Sequence, residues 1–125
     1  MWDTRRPLVN TAYLYRTAHP VGTYTTCLCF SWDGHFIASR AMDDTVRLWD
    51  LRNFSKGAVH TVRDLPVLFE QTEVCFSPND TMLAVAVSAQ REDPNSGEVV
   101  IFRKDNFEVR IFPLLLLTSI TITMK

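Results

Sequence analysis

The hydrophobic and polar positions of this chain fall into short β-branched and aromatic runs separated by turn-forming residues. Residues 24–31 make the first strong run, and Asp33-Gly34 is a tight-turn pair that links it to a second run over 35–39. Asp43-Asp44 makes the next turn, and Thr45-Val46-Arg47-Leu48-Trp49 follows with alternating character. A weaker strand is predicted over 58–62. The scheme then repeats, with strands predicted over 73–76, 82–88, 98–102 and 107–112. Upstream, residues 12–17 read as one more strand, the outer edge of a preceding unit. Leu83-Ala84-Val85-Ala86-Val87 is apolar at every position, which suits a strand covered on both faces. Residues 90–97 read as an inserted polar loop, with Pro94, Asn95 and Gly97 as turn formers.

The repeat is also visible in the letters. Trp2-Asp3 recurs as Trp49-Asp50, 47 residues on (49 − 2). Phe30-Ser31-Trp32-Asp33-Gly34 recurs as Phe76-Ser77-Pro78-Asn79-Asp80, 46 residues on (76 − 30). Trp49-Asp50-Leu51-Arg52-Asn53-Phe54 aligns with Phe102-Arg103-Lys104-Asp105-Asn106-Phe107, 53 residues on (102 − 49), the polar insertion accounting for the larger value. Periods of about 40–45 residues ending in Trp-Asp mark four-stranded propeller blades. The expectation is therefore an all-β, antiparallel fold of four-stranded blades forming a partial, unclosed propeller. Residues 1–18 would be the end of one blade, 19–63 a complete blade, 64–110 a divergent one and 111–125 a tail. A closed propeller has typically 4–8 blades, so the remaining blades are expected in a longer protein, and an isolated chain is expected to associate through its uncovered faces.

His19-Pro20, Phe30-Ser31-Trp32-Asp33-Gly34, Phe36-Ile37-Ala38-Ser39 and Asp43-Asp44-Thr45-Val46-Arg47-Leu48-Trp49-Asp50, in that order, resemble a WD40 repeat over its full length. The resemblance implies a structural network of His19, Ser39, Asp43 and Trp49. A buried indole N–H needs an acceptor and a buried carboxylate needs donors. A Ser–His–Asp set could also suggest a hydrolase, but no strand-turn-helix elbow frames Ser39. Three features depart from the pattern. Arg40 stands where small residues are usual, His19 lies further than usual from Phe30, and the second blade has Phe102-Arg103 in place of Trp-Asp with no matching His. The wording of Trp2-Asp3-Thr4-Arg5-Arg6-Pro7-Leu8 and of 18–27 is similar to the gastrulation-defective type of nuclear WD-repeat protein. That likeness continues more weakly to Val109, and 111–125 resembles no propeller strand.

Within that family, two consecutive Trp-Asp-x-Arg tetrapeptides resemble the box of substrate receptors of cullin–RING ubiquitin ligases, in which the Arg docks the damage-specific DNA-binding adaptor. Here these are Trp2-Asp3-Thr4-Arg5 and Trp49-Asp50-Leu51-Arg52. The resemblance implies a non-catalytic protein-interaction scaffold with Arg5, Arg52, Asp3 and Asp50 as partner-binding residues, a link to the DNA-damage response and a place in the nucleus, the cytoplasm being the alternative. The competing readings are a subunit of an RNA-processing or chromatin complex with no ligase link and, behind it, a hydrolase. An exposed arginine that merely pairs with a nearby acid is the plainer account of each tetrapeptide.

Composition narrows the field. With 46% hydrophobic and 22% charged residues the chain has the makings of a packed fold rather than a disordered one. The formal charge of −1 gives no basic excess, so direct nucleic-acid binding is not expected. The apolar stretch of 111–117 is short and followed by a Thr-rich run, so no membrane span is expected. Three cysteines with no secretory signal read as free thiols of a reducing compartment. The sequons at Asn53 and Asn79 carry no meaning there. Cys27-x-Cys29 is one residue short of zinc spacing and has no matching pair, so Cys27, Cys29 and Cys75 read as buried core thiols, with no metal and no cofactor.

Overall fold

The computed structural model describes residues 1–7, 9, 11–89, 92, 93 and 97–113. Most of the expected 90–97 loop, and the tail from 114 onward, lie outside the described residues. Two antiparallel four-stranded sheets follow each other along the chain. The first is formed by β1 (Thr25–Phe30), β2 (Phe36–Ala41), β3 (Thr45–Asp50) and β4 (His60–Val62); the second by β5 (Val74–Phe76), β6 (Met82–Val87), β7 (Glu98–Arg103) and β8 (Val109–Pro113). In both sheets the spatial order equals the chain order. A 3-10 turn over Leu51–Lys56, which nothing in the sequence pattern anticipated, separates β3 from β4.

The connecting turns show why the same topology forms twice. In the first sheet Ser31 Oγ donates to Asp33 Oδ1 at 2.6 Å and accepts from Phe36 N at 2.9 Å. In the second, Ser77 Oγ donates to Asn79 Oδ1 at 2.7 Å and accepts from Met82 N at 3.0 Å. The turn ends in a left-handed residue each time, Gly34 at φ 71° and Asp80 at φ 55°. Glycine takes that conformation freely and aspartate is among the few side chains that tolerate it. The substitution adds a function: the Asp80 carboxylate accepts from Trp32 N at 2.8 Å and Asp33 N at 2.7 Å, tying one turn to the other across the two sheets.

Strand alternation sorts each sheet into two faces. Phe30, Ile37, Ser39 and Trp49 share the front of the first sheet, while Cys29, Ala38, Arg40, Val46 and Leu48 share its rear. In the second sheet Val74, Phe76, Leu83, Val85, Val100 and Phe102 share the front. Rear of the first and front of the second close on each other as one core that includes Ala38, Val46, Leu48, Val74, Phe76, Leu83, Val85 and Phe102. Burying each such aliphatic or aromatic side chain contributes on the order of 1.5–3 kcal/mol, which makes this seam the main source of stability.

Three expectations need correction. Residues 12–17 form no strand. Among the described residues the ladder-like bonds there run to the first residue, Ala12 N to Met1 O at 3.0 Å and the Met1 ammonium to Tyr13 O at 2.7 Å, and a strand without a continuous partner gains nothing over solvated loop. Cys75 is exposed rather than buried, because Val74 and Phe76 take the inward positions of β5 and the intervening residue points away. Partial cover, and then the neighbouring Cys29, Cys27 and Glu73, push its thiol above the ordinary value. Cys27 and Cys29 are half-buried against the core.

Candidate functional site

His19 lies in the loop before β1, Ser39 on β2, Asp43 in the β2–β3 turn and Trp49 on β3. The structure brings the four together. Asp43 Oδ2 lies 3.0 Å from His19 Nδ1, His19 Nε2 lies 2.9 Å from Ser39 Oγ, and the Trp49 indole N–H donates to the same Oγ at 2.9 Å. A carboxylate only accepts, so Nδ1 donates to Asp43, and in the neutral ring Nε2 accepts the Ser39 O–H. Thr45 completes the set, donating from Oγ1 at 2.7 Å and from its backbone N at 3.1 Å to Asp43 Oδ1. Arg47 Nη2 stands 3.6 Å from Asp43 Oδ2.

The chain of donors and acceptors is therefore satisfied and largely buried: Ser39 is 3% exposed and His19 8%. Ser39 sits mid-strand with its oxygen engaged on both sides, an arrangement suited to holding a turn rather than to attacking a substrate. Burial pushes the Asp43 carboxyl up, but the hydrogen bonds from Thr45 and His19 outweigh it and hold its pKa below the ordinary value. The sign follows. A carboxyl whose folded pKa is depressed contributes stability above its unfolded value of about 3.9, and loses it as pH falls through the folded value. Stability should therefore fall on acidification below about pH 4, and an Asp43→Asn chain, already weaker at neutral pH, should show a flatter acid limb in urea midpoints measured against pH.

The two Trp-Asp-x-Arg tetrapeptides adopt the same local geometry. Arg5 donates from Nε and Nη2 to the two oxygens of Asp3 at 2.9 and 3.0 Å, and from its backbone N to Asp3 Oδ1 at 3.0 Å. Arg52 donates to Asp50 through the same three nitrogens, each at 2.9 Å. Hydrogen bonds from the arginine side chains, then from their backbones, hold the Asp3 and Asp50 carboxyls down at about 2. The side chains of Arg5 and Arg52 are 88% and 57% exposed. The two tryptophans differ: Trp49 is buried at 3% and Trp2 is half exposed. Arg103 repeats the bidentate pairing in the second sheet with Asp105, in reversed sequence order.

Sequence reasoning noted Arg40 as an oddity and missed its place. It is fully buried between the sheets, donating from Nη2 to Leu65 O at 2.6 Å and lying 3.4 Å from Pro66 O and Ala86 O. Its Nε and Nη1 meet no hydrogen-bond partner among the described residues. Burial pushes the guanidinium down to about 10, against the opposing pull of Asp44 and Asp43. Only its position opposite Val46, beside the small residues Ala38, Ser39 and Ala41, could have signalled this. Among the described residues no group of three His, Cys, Asp or Glu is arranged to hold a metal ion.

The chain is similar to known proteins in sequence and in fold. Residues 12–50 match the family model of the WD domain, G-beta repeat. Over 108 residues the chain is 41% identical to WD repeat-containing protein 70 of Bos taurus, covering 86% of this chain and 16% of that protein. It is 36% identical over 113 residues to the gastrulation defective protein 1 homolog of Drosophila melanogaster, covering 90% of this chain and 17% of that protein. The chain thus spans about a sixth of the length of the curated relatives it matches. The fold is similar to the crystal structure of RRP9 WD40 repeats, with a TM-score of 0.57, 15% identity, and 77% of this chain and 28% of that one covered.

Proposed function

We propose that this chain, a WD40-repeat protein homologous to WD repeat-containing protein 70 and to the gastrulation defective protein 1 homolog, is part of a non-catalytic scaffold that docks another protein through Arg5 and Arg52. The observation that carries the reading is the exposed Asp–Arg pairing that the two Trp-Asp-x-Arg tetrapeptides share. In each, the aspartate engages Nε and Nη2 of its arginine and so fixes the plane of the guanidinium. A guanidinium has five N–H donors, and one held in place by its own aspartate loses less rotamer freedom when a partner's carboxylate or carbonyl approaches. The Asp3 and Asp50 side chains act as positioning groups in this reading, and Arg5 and Arg52 as contacts.

The partner we propose is the adaptor of a cullin–RING ubiquitin ligase. The pairing of two such tetrapeptides supports this, and the protein would then act in the nucleus as a substrate receptor in the DNA-damage response. The scaffold reading draws further support from Ser39, whose burial and double engagement leave no free nucleophile at the Ser–His–Asp set. The test is capture of the purified adaptor by the chain and by the Arg5→Ala/Arg52→Ala double variant. Each single replacement should weaken binding by about 2 kcal/mol, roughly thirtyfold, and the double replacement should abolish it while the circular dichroism of the sheets is unchanged. Arg→Lys at either site should not restore binding, since an ammonium cannot copy a bidentate fork. Unchanged capture by the double variant removes the ligase reading and leaves a scaffold for other complexes, those of RNA processing or chromatin included.

A further inference from the structure

The turns that leave the third strand of each sheet are built on one plan. Leu51 N donates to His35 O at 2.8 Å in the first, and Lys104 N donates to Thr81 O at 2.9 Å in the second, so each turn hangs from the residue just before the second strand of its own sheet. Phe54 tilts against Trp49 with ring centroids 5.7 Å apart, and Phe107 tilts against Phe102 at 5.8 Å. The two turns are also neighbours in space. Arg52 of the first and Lys104 of the second both lie over the ring of Phe36, at 5.6 and 4.7 Å from its centroid. Their positions can therefore be compared one by one, and at the 53-residue spacing Arg103 stands at the place of Asp50 and Asp105 at the place of Arg52.

The ion pair survives this exchange while its polarity inverts. Arg52 reaches the two oxygens of Asp50 through Nε and Nη2, and Arg103 reaches those of Asp105 through the same nitrogens at 3.3 and 3.0 Å. In the first sheet the carboxylate is the covered member: the Asp50 side chain is 14% exposed and that of Arg52 57%. The N-terminal pair is alike, with Asp3 at 20% and Arg5 at 88%. Both of these pairs present a cation. In the second sheet the carboxylate comes forward, with Asp105 63% exposed. Its oxygens accept from Arg103 and from Asn106 N at 2.9 Å, and a carboxylate has about four lone-pair sites, so a further donor can add without breaking the pair. Lys104 does not cancel this charge, since its ammonium is turned to the Phe36 ring and stands 3.8 Å from Asp33. An exposed ion pair adds little to stability, so the consequence of this one is the charge that it displays.

We infer that Asp105 is a further contact of the docking surface, and that the partner brings a lysine or arginine to it while bringing a carboxylate or carbonyl to Arg52. The two neighbouring turns then form a bipolar clamp, cation beside anion. The inference rests on the docking role proposed for Arg5 and Arg52, and adds to it the charge pattern of the partner. A surface that displayed cations alone would accept an acidic partner in several registers. A carboxylate one turn along disfavours every register that brings an acid to Asp105, because like charges set face to face at an interface repel strongly. It attracts the register that brings a basic side chain there, through a charge-assisted hydrogen bond. Asp105 therefore selects how the partner is turned, and Arg52 supplies the anchor.

The experiment measures binding of the purified ligase adaptor to the 125-residue chain, to an Arg103→Asp/Asp105→Arg variant and to the Arg5→Ala/Arg52→Ala variant. The exchange keeps an acid and an arginine within reach of each other and restores the Asp-x-Arg order of the first sheet. A merely structural role would therefore leave no mark, and the circular dichroism and urea midpoint should stay those of the wild type. Affinity for the adaptor should fall at least about tenfold, because a guanidinium now meets the partner's cation. Asp105→Lys presents the same wrong charge at an exposed position and should lose as much; it decides the matter should the exchanged variant fail to give the circular dichroism of the wild type. Unchanged or tighter binding of the exchanged variant, beside a loss in the Arg5→Ala/Arg52→Ala chain, overturns the inference and leaves the arginine docking intact. A wild type that does not bind the adaptor, or an Arg5→Ala/Arg52→Ala chain that binds it as well as the wild type does, overturns both.

Discussion

Replacing Trp49 by alanine should destabilise the chain by about 3–5 kcal/mol, the range for loss of a large buried aromatic. Trp49 is 3% exposed. Its ring meets Tyr15 edge-on at 5.0 Å and Phe54 at 5.7 Å, so it joins the N-terminal segment, the front of the first sheet and the 3-10 turn. Alanine leaves a void among all three and strips Ser39 of the indole donor. The conservative change separates the two effects. Trp49→Phe retains ring packing and loses the N–H, so it should lose only about 1–2 kcal/mol, near the value of one buried hydrogen bond plus a small void. Phe102 occupies the equivalent place in the second sheet, 1% exposed and with its ring 5.8 Å from Phe107. Phe102→Ala should cost about as much as Trp49→Ala, through packing alone. Urea midpoints of the purified chains measure all three, and a near-neutral Trp49→Ala would mean that the tryptophan does not anchor the sheet.

Arg40 should give the second large effect, with an unusual dependence on the replacement. Arg40→Ala removes a fully buried side chain from the seam between the sheets and strands the Leu65 carbonyl, so a loss of about 3–5 kcal/mol is expected. Arg40→Met keeps most of the volume and removes a charge that the seam desolvates. Burying an ion whose donors are only partly engaged works against stability, and the guanidinium here is pushed down to about 10 with Nε and Nη1 unpartnered among the described residues. Methionine should therefore recover most of the alanine loss, ending within about 1–2 kcal/mol of the wild type. Lysine is expected to resemble alanine more than methionine, since it keeps the charge without the fork that reaches the Leu65, Pro66 and Ala86 carbonyls. If methionine proves as damaging as alanine, the contacts of the charge, and not the filled volume, hold the sheets together. Chemical denaturation at one pH suffices to rank the three.

Much of the fold could be read along the chain because it is specified locally. Strands β1 to β8 follow from short β-branched and apolar runs, and the turns between them from Asp33-Gly34, Asp43-Asp44 and Asn79-Asp80, whose side chains and left-handed backbone make similar local bonds. The 46-residue spacing placed Ser77 and Asn79 on Ser31 and Asp33, and the two turns are indeed built alike. Residues 19, 39, 43 and 49 could be grouped through a resemblance, and their distances show them joined into one network.

What the sequence did not determine depends on how one sheet stacks on the next. A strand reading treats Arg40 as an intrusion where small residues are usual; only the Leu65-Pro66 connection and the second sheet stacked on this face supply the carbonyls that make a buried guanidinium tolerable there. Asp80 reads as a turn former, and only the neighbouring turn gives its carboxylate two amides to hold. Cys75 aligns with Cys29 in the letters, yet Cys29 is half-buried against the core and Cys75 is exposed. Residues 12–17 have the composition of a strand, but β structure requires a ladder partner, which composition cannot supply. Arg5 and Arg52 are three positions past a tryptophan in both units, and folding pairs each with the aspartate two residues before it. Alternation, turn chemistry and repeat spacing are properties of a few neighbouring residues and survive in the linear sequence. Burial, the pairing of a charge and the cover over a sheet face are set by atoms brought together from positions 25–50 residues apart, and only the stacked sheets determine them.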